Sequence, residues 1–150
     1  MIALCCFVES RTSCGRQIDI SPMWHLIREF GGDELLVIDY TNFECFDPER
    51  GADVPISRFY SLAEAVAARP DPRWVFLEKD VPNGAVAISL PDYQHPKDAI
   101  YVVGADARGI VGATAEMGDW VKVPVASKYP LWAAQAATIV MWDRWNRGNH

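Results

Sequence analysis

The chain has 150 residues, half of them hydrophobic, with 14 Lys and Arg against 20 Asp and Glu, giving a formal net charge of −6. That length suits one core and is short for two, so a single domain over residues 1–150 is expected. The negative balance excludes indiscriminate adhesion to polyphosphate, which needs many Lys and Arg. It leaves room for a local basic face drawn from Arg11, Arg16, Arg28, Lys97, Arg108, Lys122 and Lys128.

Residues 2–8 form a continuous apolar run, as expected of a strand covered on both faces in a parallel sheet. The run has no basic lead, is followed by Glu9 and Arg11, and falls far short of the roughly 20 residues of a membrane span, so no membrane partner is expected. Cys5, Cys6, Cys14 and Cys45 show no CxxC spacing and no His pair. No metal set is expected, and reduced thiols fit a cytoplasmic protein. Ser21-Pro22 reads as a helix start with proline at the first helical position, and the helix is expected to pass through Trp24, Leu26, Ile27 and Phe30 and stop at Gly31-Gly32. Residues 35–40 follow as a second buried strand and residues 41–60, with Pro48 and Pro55, as an irregular connection. Ser61-Leu-Ala-Glu64 is a capping box opening a short helix that ends before Pro70.

Residues 74–77, 85–90, 100–103 and 121–125 are further apolar runs of strand length, and their alternation with helices implies an α/β domain with a mostly parallel sheet flanked by helices. The last segment, 130–145, predicts a helix that is apolar almost all round. Such a helix must be buried on more than one face, by its own domain or by a second copy, and a homodimer through this helix is expected.

In an open parallel sheet, ligands bind beyond the carboxyl ends of the strands. The loops there are Leu90-Pro91-Asp92-Tyr93, Gly104-Ala-Asp-Ala-Arg-Gly109 and Val123-Pro-Val-Ala-Ser-Lys-Tyr129. The glycine loop lacks both the GxGxxG pattern and the lysine and hydroxyl of a P-loop, so by itself it is equally a tight turn out of a strand.

The order of segments over the C-terminal half resembles the SPOUT superfamily of trefoil-knotted RNA methyltransferases. That family has a strand ending in a glycine loop of the form hhhGxEgxGh, a short helix, a strand ending in Ile-Pro, and a long small-residue helix. The counterparts here are Tyr101-Val-Val-Gly-Ala-Asp-Ala-Arg-Gly-Ile110, residues 114–118, Val121-Lys-Val-Pro124 and Leu131-Trp-Ala-Ala-Gln-Ala-Ala137. His25-Leu-Ile-Arg28-Glu-Phe-Gly31 is similar to the family's first motif, and the Arg-x-Phe-Gly-x-Asp form of residues 28–33 resembles the archaeal tRNA ribose-methylating subgroup. The resemblance departs at Asp106, where Glu is usual, and at Pro130-Leu131-Trp132, where the family has Ser-Leu-Asn.

The resemblance implies a C-terminal trefoil knot, S-adenosylmethionine held bent by three loops, an RNA substrate, in particular the ribose 2′-oxygen of a tRNA, and a dimer packed through the last helix. It assigns cofactor contacts to Leu90, Gly104, Gly109, Val123, Val125 and Leu131, with Asp106 beside them as a candidate acid. Arg28 is the candidate catalytic residue, because a guanidinium can orient the target phosphate and stabilise a developing alkoxide. Arg11 and Arg16 are its rivals, since they follow the first strand. Asp92 is equally a turn residue. His25 is read as a packed residue, and Trp132, Trp142 and Trp145 as core or dimer packing rather than base-stacking platforms. Two other readings stay open: a knotted domain that binds the cofactor without catalysis, and a ligand-free dimeric α/β scaffold.

Overall fold

The computed structural model describes residues 1–9, 13–40, 53–105 and 108–148, with side chains of the first helix from residue 19 onward. The described residues form a seven-stranded sheet with every pairing parallel, carrying three α-helices. In chain order the elements are β1 (Ile2–Phe7), α1 (Ser13–Glu29), β2 (Glu34–Ile38), β3 (Ile56–Phe59), α2 (Leu62–Ala68), β4 (Arg73–Leu77), β5 (Ala87–Ser89), β6 (Ala99–Val103), β7 (Asp119–Lys122) and α3 (Ala133–Asn146). The strand order across the sheet is β3-β2-β1-β6-β4-β7-β5.

The apolar runs become central strands because both faces of the sheet are covered. Along β1, Leu4 and Cys6 join the core under α1 and α3, while Ala3, Cys5 and Phe7 join the core on the other face. The first core includes Trp24 and Ile27 of α1 and Val140 and Met141 of α3; each such large side chain contributes about 1.5–3 kcal/mol by leaving water. The second is built around a row of rings in which Phe76 stacks on Trp120 at 4.8 Å and on Trp74 at 6.5 Å.

Several expectations change. Helix α1 begins at Ser13, a full two turns before the expected start, so Pro22 is an interior residue and not the first helical position. It lies on the exposed side, where the N–H it lacks leaves residue 18 without a helical partner. Residues 56–59 form an edge strand where an irregular connection was expected. Residues 115–117 form a single 3-10 turn, and β5 shrinks to three residues ahead of another such turn at Leu90–Asp92. The Ser61 cap holds as read, its hydroxyl accepting the Glu64 amide at 3.2 Å.

No helix among the described residues is long and apolar enough to cross a membrane.

Candidate functional site

Every strand runs the same way, so the sheet has an amino edge and a carboxyl edge. At the carboxyl edge, beyond the ends of β4 and β6, lies a cavity of about 460 Å³. Its apolar wall includes Leu77, Val81, Val103, Ile110, Trp120 and Leu131; its polar lining includes Glu78, Asp80 and Arg108. A smaller recess of about 60 Å³ adjoins it and adds Val121, Val123 and Val125, sharing Leu77, Glu78, Pro130 and Leu131. On the other side of Gly104, a space of about 120 Å³ runs under α1 between Cys6, Asp19, Met23 and Ala133.

The loop from Gly104 to Gly109 closes on itself. The Gly109 amide donates to the Ala105 carbonyl at 2.8 Å and the Ala105 amide to the Gly109 carbonyl at 3.0 Å. Neither glycine tolerates a side chain: a Cβ on Gly104 would overlap the Gly109 backbone, and Gly109 has φ +66°, with a Cβ there falling 2.9 Å from Glu78 Oε2. The close approach the sequence suggested is therefore between the two ends of the loop and against Glu78. Glu78 follows β4, is half-buried, and accepts the Lys79 amide on Oε1 at 2.9 Å. Arg108 is exposed at the cavity rim and donates to the Tyr40 hydroxyl at 3.4 Å, reaching over the end of β1 toward the residue that follows β2.

No protein-family model matches this chain, and no curated protein matches it. Solved structures do. A TrmH-family protein from Porphyromonas gingivalis aligns with a TM-score of 0.72 at 19% identity, over 97% of this chain and 59% of its own. The SpoU methyltransferase AviRb from Streptomyces viridochromogenes, solved with AdoMet, aligns with a TM-score of 0.72 at 19% identity, over 99% of this chain and 60% of its own. A protein studied for 2-OH methylation of C/U34 on tRNA gives 0.73 at 14% identity, over 99% of this chain and 91% of its own.

The chain has the SpoU methyltransferase fold.

The present chain thus spans about 60% of the length of the first two SpoU-fold proteins. Within that fold, the structure brings Gly104, Gly109 and Leu131 together around the main cavity and Val123, Val125 and Leu131 around the adjoining recess. Asp106 lies outside the described residues. Leu90 is not brought to the cavity: it is buried in the core under α1 and α3, and its carbonyl accepts from Arg147. Asp92 is exposed in the 3-10 turn after β5, away from the lining.

Within this chain Arg28 is not brought to the cavity. It stands in the last turn of α1, where the chain returns to the amino edge: Gly32 donates to the Ile27 carbonyl, and Asp33 donates to the carbonyl of Ile2, the first residue of β1. The cavity lies at the far end of the sheet, about 17 Å away by the rise of a six-residue strand. Arg28 instead lies 4.5 Å over the Trp24 ring and pairs with Asp53 at 3.4 Å. Its rival Arg16 belongs to the beginning of α1, at the carboxyl edge; Arg11 lies outside the described residues. His25 is exposed, edge-on to Trp24, and not packed as expected.

Helix α3 buries Ala137, Val140, Met141 and Arg144 on one face, while Ile139, Trp142 and Trp145 remain exposed, as does Trp132 before the helix. Cys5 and Cys6 are buried; burial, reinforced by Asp19, pushes the Cys6 thiol up to about 12, which removes it as a nucleophile. Sequence reasoning missed Glu78, Asp80 and Tyr40 as residues of this edge. Glu78 and Asp80 directly follow a buried strand, which was the available signal.

Proposed function

We propose that this protein is an S-adenosylmethionine-dependent RNA methyltransferase acting on a tRNA ribose 2′-oxygen. The observation that carries the reading is the cavity at the carboxyl edge, walled by the segments after β4, β6 and β7, in a chain that aligns over nearly its whole length with SpoU-fold proteins. AviRb was solved with AdoMet, and another neighbour concerns 2-OH methylation of tRNA.

The residues fit such a cofactor. A volume of about 460 Å³ lies in the ordinary range for small-molecule sites, roughly 300–1,000 Å³. Leu77, Val103, Leu131 and Val123 offer apolar walls to a purine, and Glu78 and Asp80 supply negative charge to a cationic ligand. Bound there, S-adenosylmethionine supplies an electrophilic methyl group on a sulfonium. The chain's part is to hold the ribose oxygen in line with that methyl group and to exclude water, and positioning of this kind lowers a transfer barrier without covalent catalysis. The guanidinium that orients the target phosphate and stabilises the developing alkoxide comes from Arg16 or Arg11, which stand between the end of β1 and the first turns of α1 in the sequence.

The same proposal includes the trefoil knot and a homodimer. The exposed stripe Ile139, Trp142 and Trp145 supports the dimer, because one helix face left apolar marks an interface. Light scattering at about twice 16.8 kDa is the expected result, and a monomer at micromolar concentration removes it.

A second reading, cofactor binding without catalysis, is favoured by Pro130-Leu131-Trp132: a 68%-exposed Trp132 stands where the family carries a polar residue at the pocket. The deciding experiment incubates the protein with labelled S-adenosylmethionine and unmodified tRNA, then measures nucleosides by mass spectrometry. A 2′-O-methyl nucleoside supports the enzyme. Calorimetric binding of S-adenosylhomocysteine without methyl transfer leaves the second reading, and no binding overturns both.

A further inference from the structure

Among the described residues, none neutralises the charge of Arg108. Among the arginines with described side chains, Arg28 pairs with Asp53, Arg58 with Asp39, Arg69 with Glu34, Arg73 with Asp119 and Arg147 with Asp143. Arg144 is spent on the carbonyls of Pro96 and Lys97 and on the Tyr101 hydroxyl. Arg108 is exposed and touches the neutral hydroxyl of Tyr40 at 3.4 Å; among the described residues it meets no carboxylate. In a chain of net charge −6, an arginine at the rim of the main cavity that meets no carboxylate among the described residues is set apart from the other arginines described.

Its position is fixed from below. The Arg108 amide donates to the Ala105 carbonyl at 3.2 Å inside the closed glycine turn, so the backbone that carries the guanidinium is held by the same loop that walls the cavity. The sheet order β2-β1-β6 means that the pair Arg108–Tyr40 spans the carboxyl end of β1. A weak 3.4 Å bond to a hydroxyl is readily exchanged for a charge-assisted bond to an anion, and a guanidinium matches the two free oxygens of a phosphodiester.

We propose that Arg108, with Tyr40 beside it, receives a backbone phosphodiester of the RNA next to the nucleotide presented to the cavity, and so positions the substrate. This rests on the reading of the protein as acting on RNA and names the residue through which the RNA is registered over the site. Lys79 and Lys128, at the other side of the recess, are less suited: the Lys79 ammonium donates to the Lys128 carbonyl, and Lys128 lies over the Tyr129 ring.

The test is binding of unmodified tRNA to the full chain, followed by fluorescence anisotropy across a salt series, for the wild type, Arg108→Ala, Arg108→Lys and Tyr40→Phe. S-adenosylhomocysteine affinity, measured by calorimetry, reports that the cavity is intact. Arg108→Ala is expected to weaken tRNA binding about 5–10-fold and to reduce the slope of log K against log salt by about one, a change of slope that a role in lining the cavity alone would not produce. Arg108→Lys keeps the slope and recovers part of the affinity, and Tyr40→Phe changes affinity by about twofold. A wild type that binds tRNA and an Arg108→Ala variant with the same affinity and slope overturns the proposal alone. A wild type that binds no tRNA overturns it together with the RNA reading.

Discussion

The two edges of the sheet are built on opposite principles. At the amino edge, polar groups are matched to one another: Glu34 with Arg69 and Ser57, Asp119 with Arg73 and Tyr93, Met1 with Asp98, Asp33 with the Ile2 amide. Burial pushes the Glu34 carboxyl up, yet its hydrogen bonds to Arg69 and Ser57 outweigh this and hold it below its ordinary value; the Arg73 hydrogen bond does the same for Asp119. Among the described residues, the carboxyl edge pairs Asp39 with Arg58 and has backbone amides bonded to Asp19 and Glu78, beside a cavity, a glycine turn and a guanidinium that meets no described carboxylate. Among the described residues, polar groups at the first edge hold the fold, whereas Glu78, Asp80 and Arg108 at the second line the cavity.

The largest effect should separate the two edges through arginines of one helix and its approach. Alanine at Arg16 or Arg11, whichever carries the catalytic guanidinium, should cost on the order of 100 to 1000-fold in methyl-transfer rate. Arg28→Ala should stay within about threefold. Single-turnover assays of the three variants decide it, and a rate collapse confined to Arg28→Ala would show that the amino edge takes part in the chemistry.

Next comes a change that damages only the amino edge. Arg144 is buried and ties α3 to the segment before β6 through Pro96, Lys97 and Tyr101. Arg144→Ala leaves those acceptors without their donor, and about 3 kcal/mol of unfolding free energy should be lost. Chemical denaturation measures the loss. S-adenosylhomocysteine affinity at a temperature where the variant is folded should stay within about twofold.

The converse change is Gly104→Ala, which places a methyl group against the Gly109 backbone and forces the turn open. Overpacking of this kind costs about 1–3 kcal/mol. Because the strain falls on the cavity wall, calorimetry should record at least about a tenfold loss of cofactor affinity with a smaller shift in melting temperature. A large melting shift with full affinity would mean that the turn supports the fold and not the site.

The smallest effect is a pH dependence. His95 hydrogen-bonds Tyr101 through Nδ1 at 2.7 Å and Asp143 through Nε2 at 2.9 Å. Burial lowers its pKa and outweighs the opposing pull of Asp143. A histidine depressed in the folded state takes up its proton more readily when unfolded, so stability is full above the ordinary value near 6.5 and declines as pH falls below it. Denaturant midpoints at pH 7.5 and 5.5 should therefore drop more for the wild type than for His95→Gln. An equal drop would assign the acid sensitivity to other groups.

Much of this was legible in the sequence because burial on both faces writes a strand as an unbroken apolar run, as in β1, β2, β4 and β6, whereas β7 lies at Asp119–Lys122, two residues ahead of the run expected at 121–125. The glycine loop was legible for a related reason: two glycines flanking a turn answer a steric demand that no other residue meets. Strand β3 was not legible, since Ile-Ser-Arg-Phe sits at the sheet edge with a half-exposed, mixed pattern. The start of α1 was hidden because Ser21-Pro22 imitates a helix opening, whereas its end before Gly31-Gly32, with Arg28 in the last turn, was read as it stands. In a parallel sheet, a helix that leaves the carboxyl edge must end at the amino edge; once α1 begins at Ser13, the location of Arg28 follows. Glu78 left little trace, because a carboxylate after a strand is as often a turn residue.

Trp120 joins the cavity wall to the stacked rings of Phe76 and Trp74 and donates its indole N–H to the Ala115 carbonyl at 3.3 Å. It is shielded from solvent, whereas Trp132, Trp142 and Trp145 are open to it. Indole emission shifts with the polarity around the ring. Small quenchers such as acrylamide should therefore extinguish the helix tryptophans first and leave a blue-shifted residual signal in which Trp120 takes part. Filling of the cavity can then be followed optically in the unlabelled protein, and Trp120→Phe identifies the part of the signal that reports it.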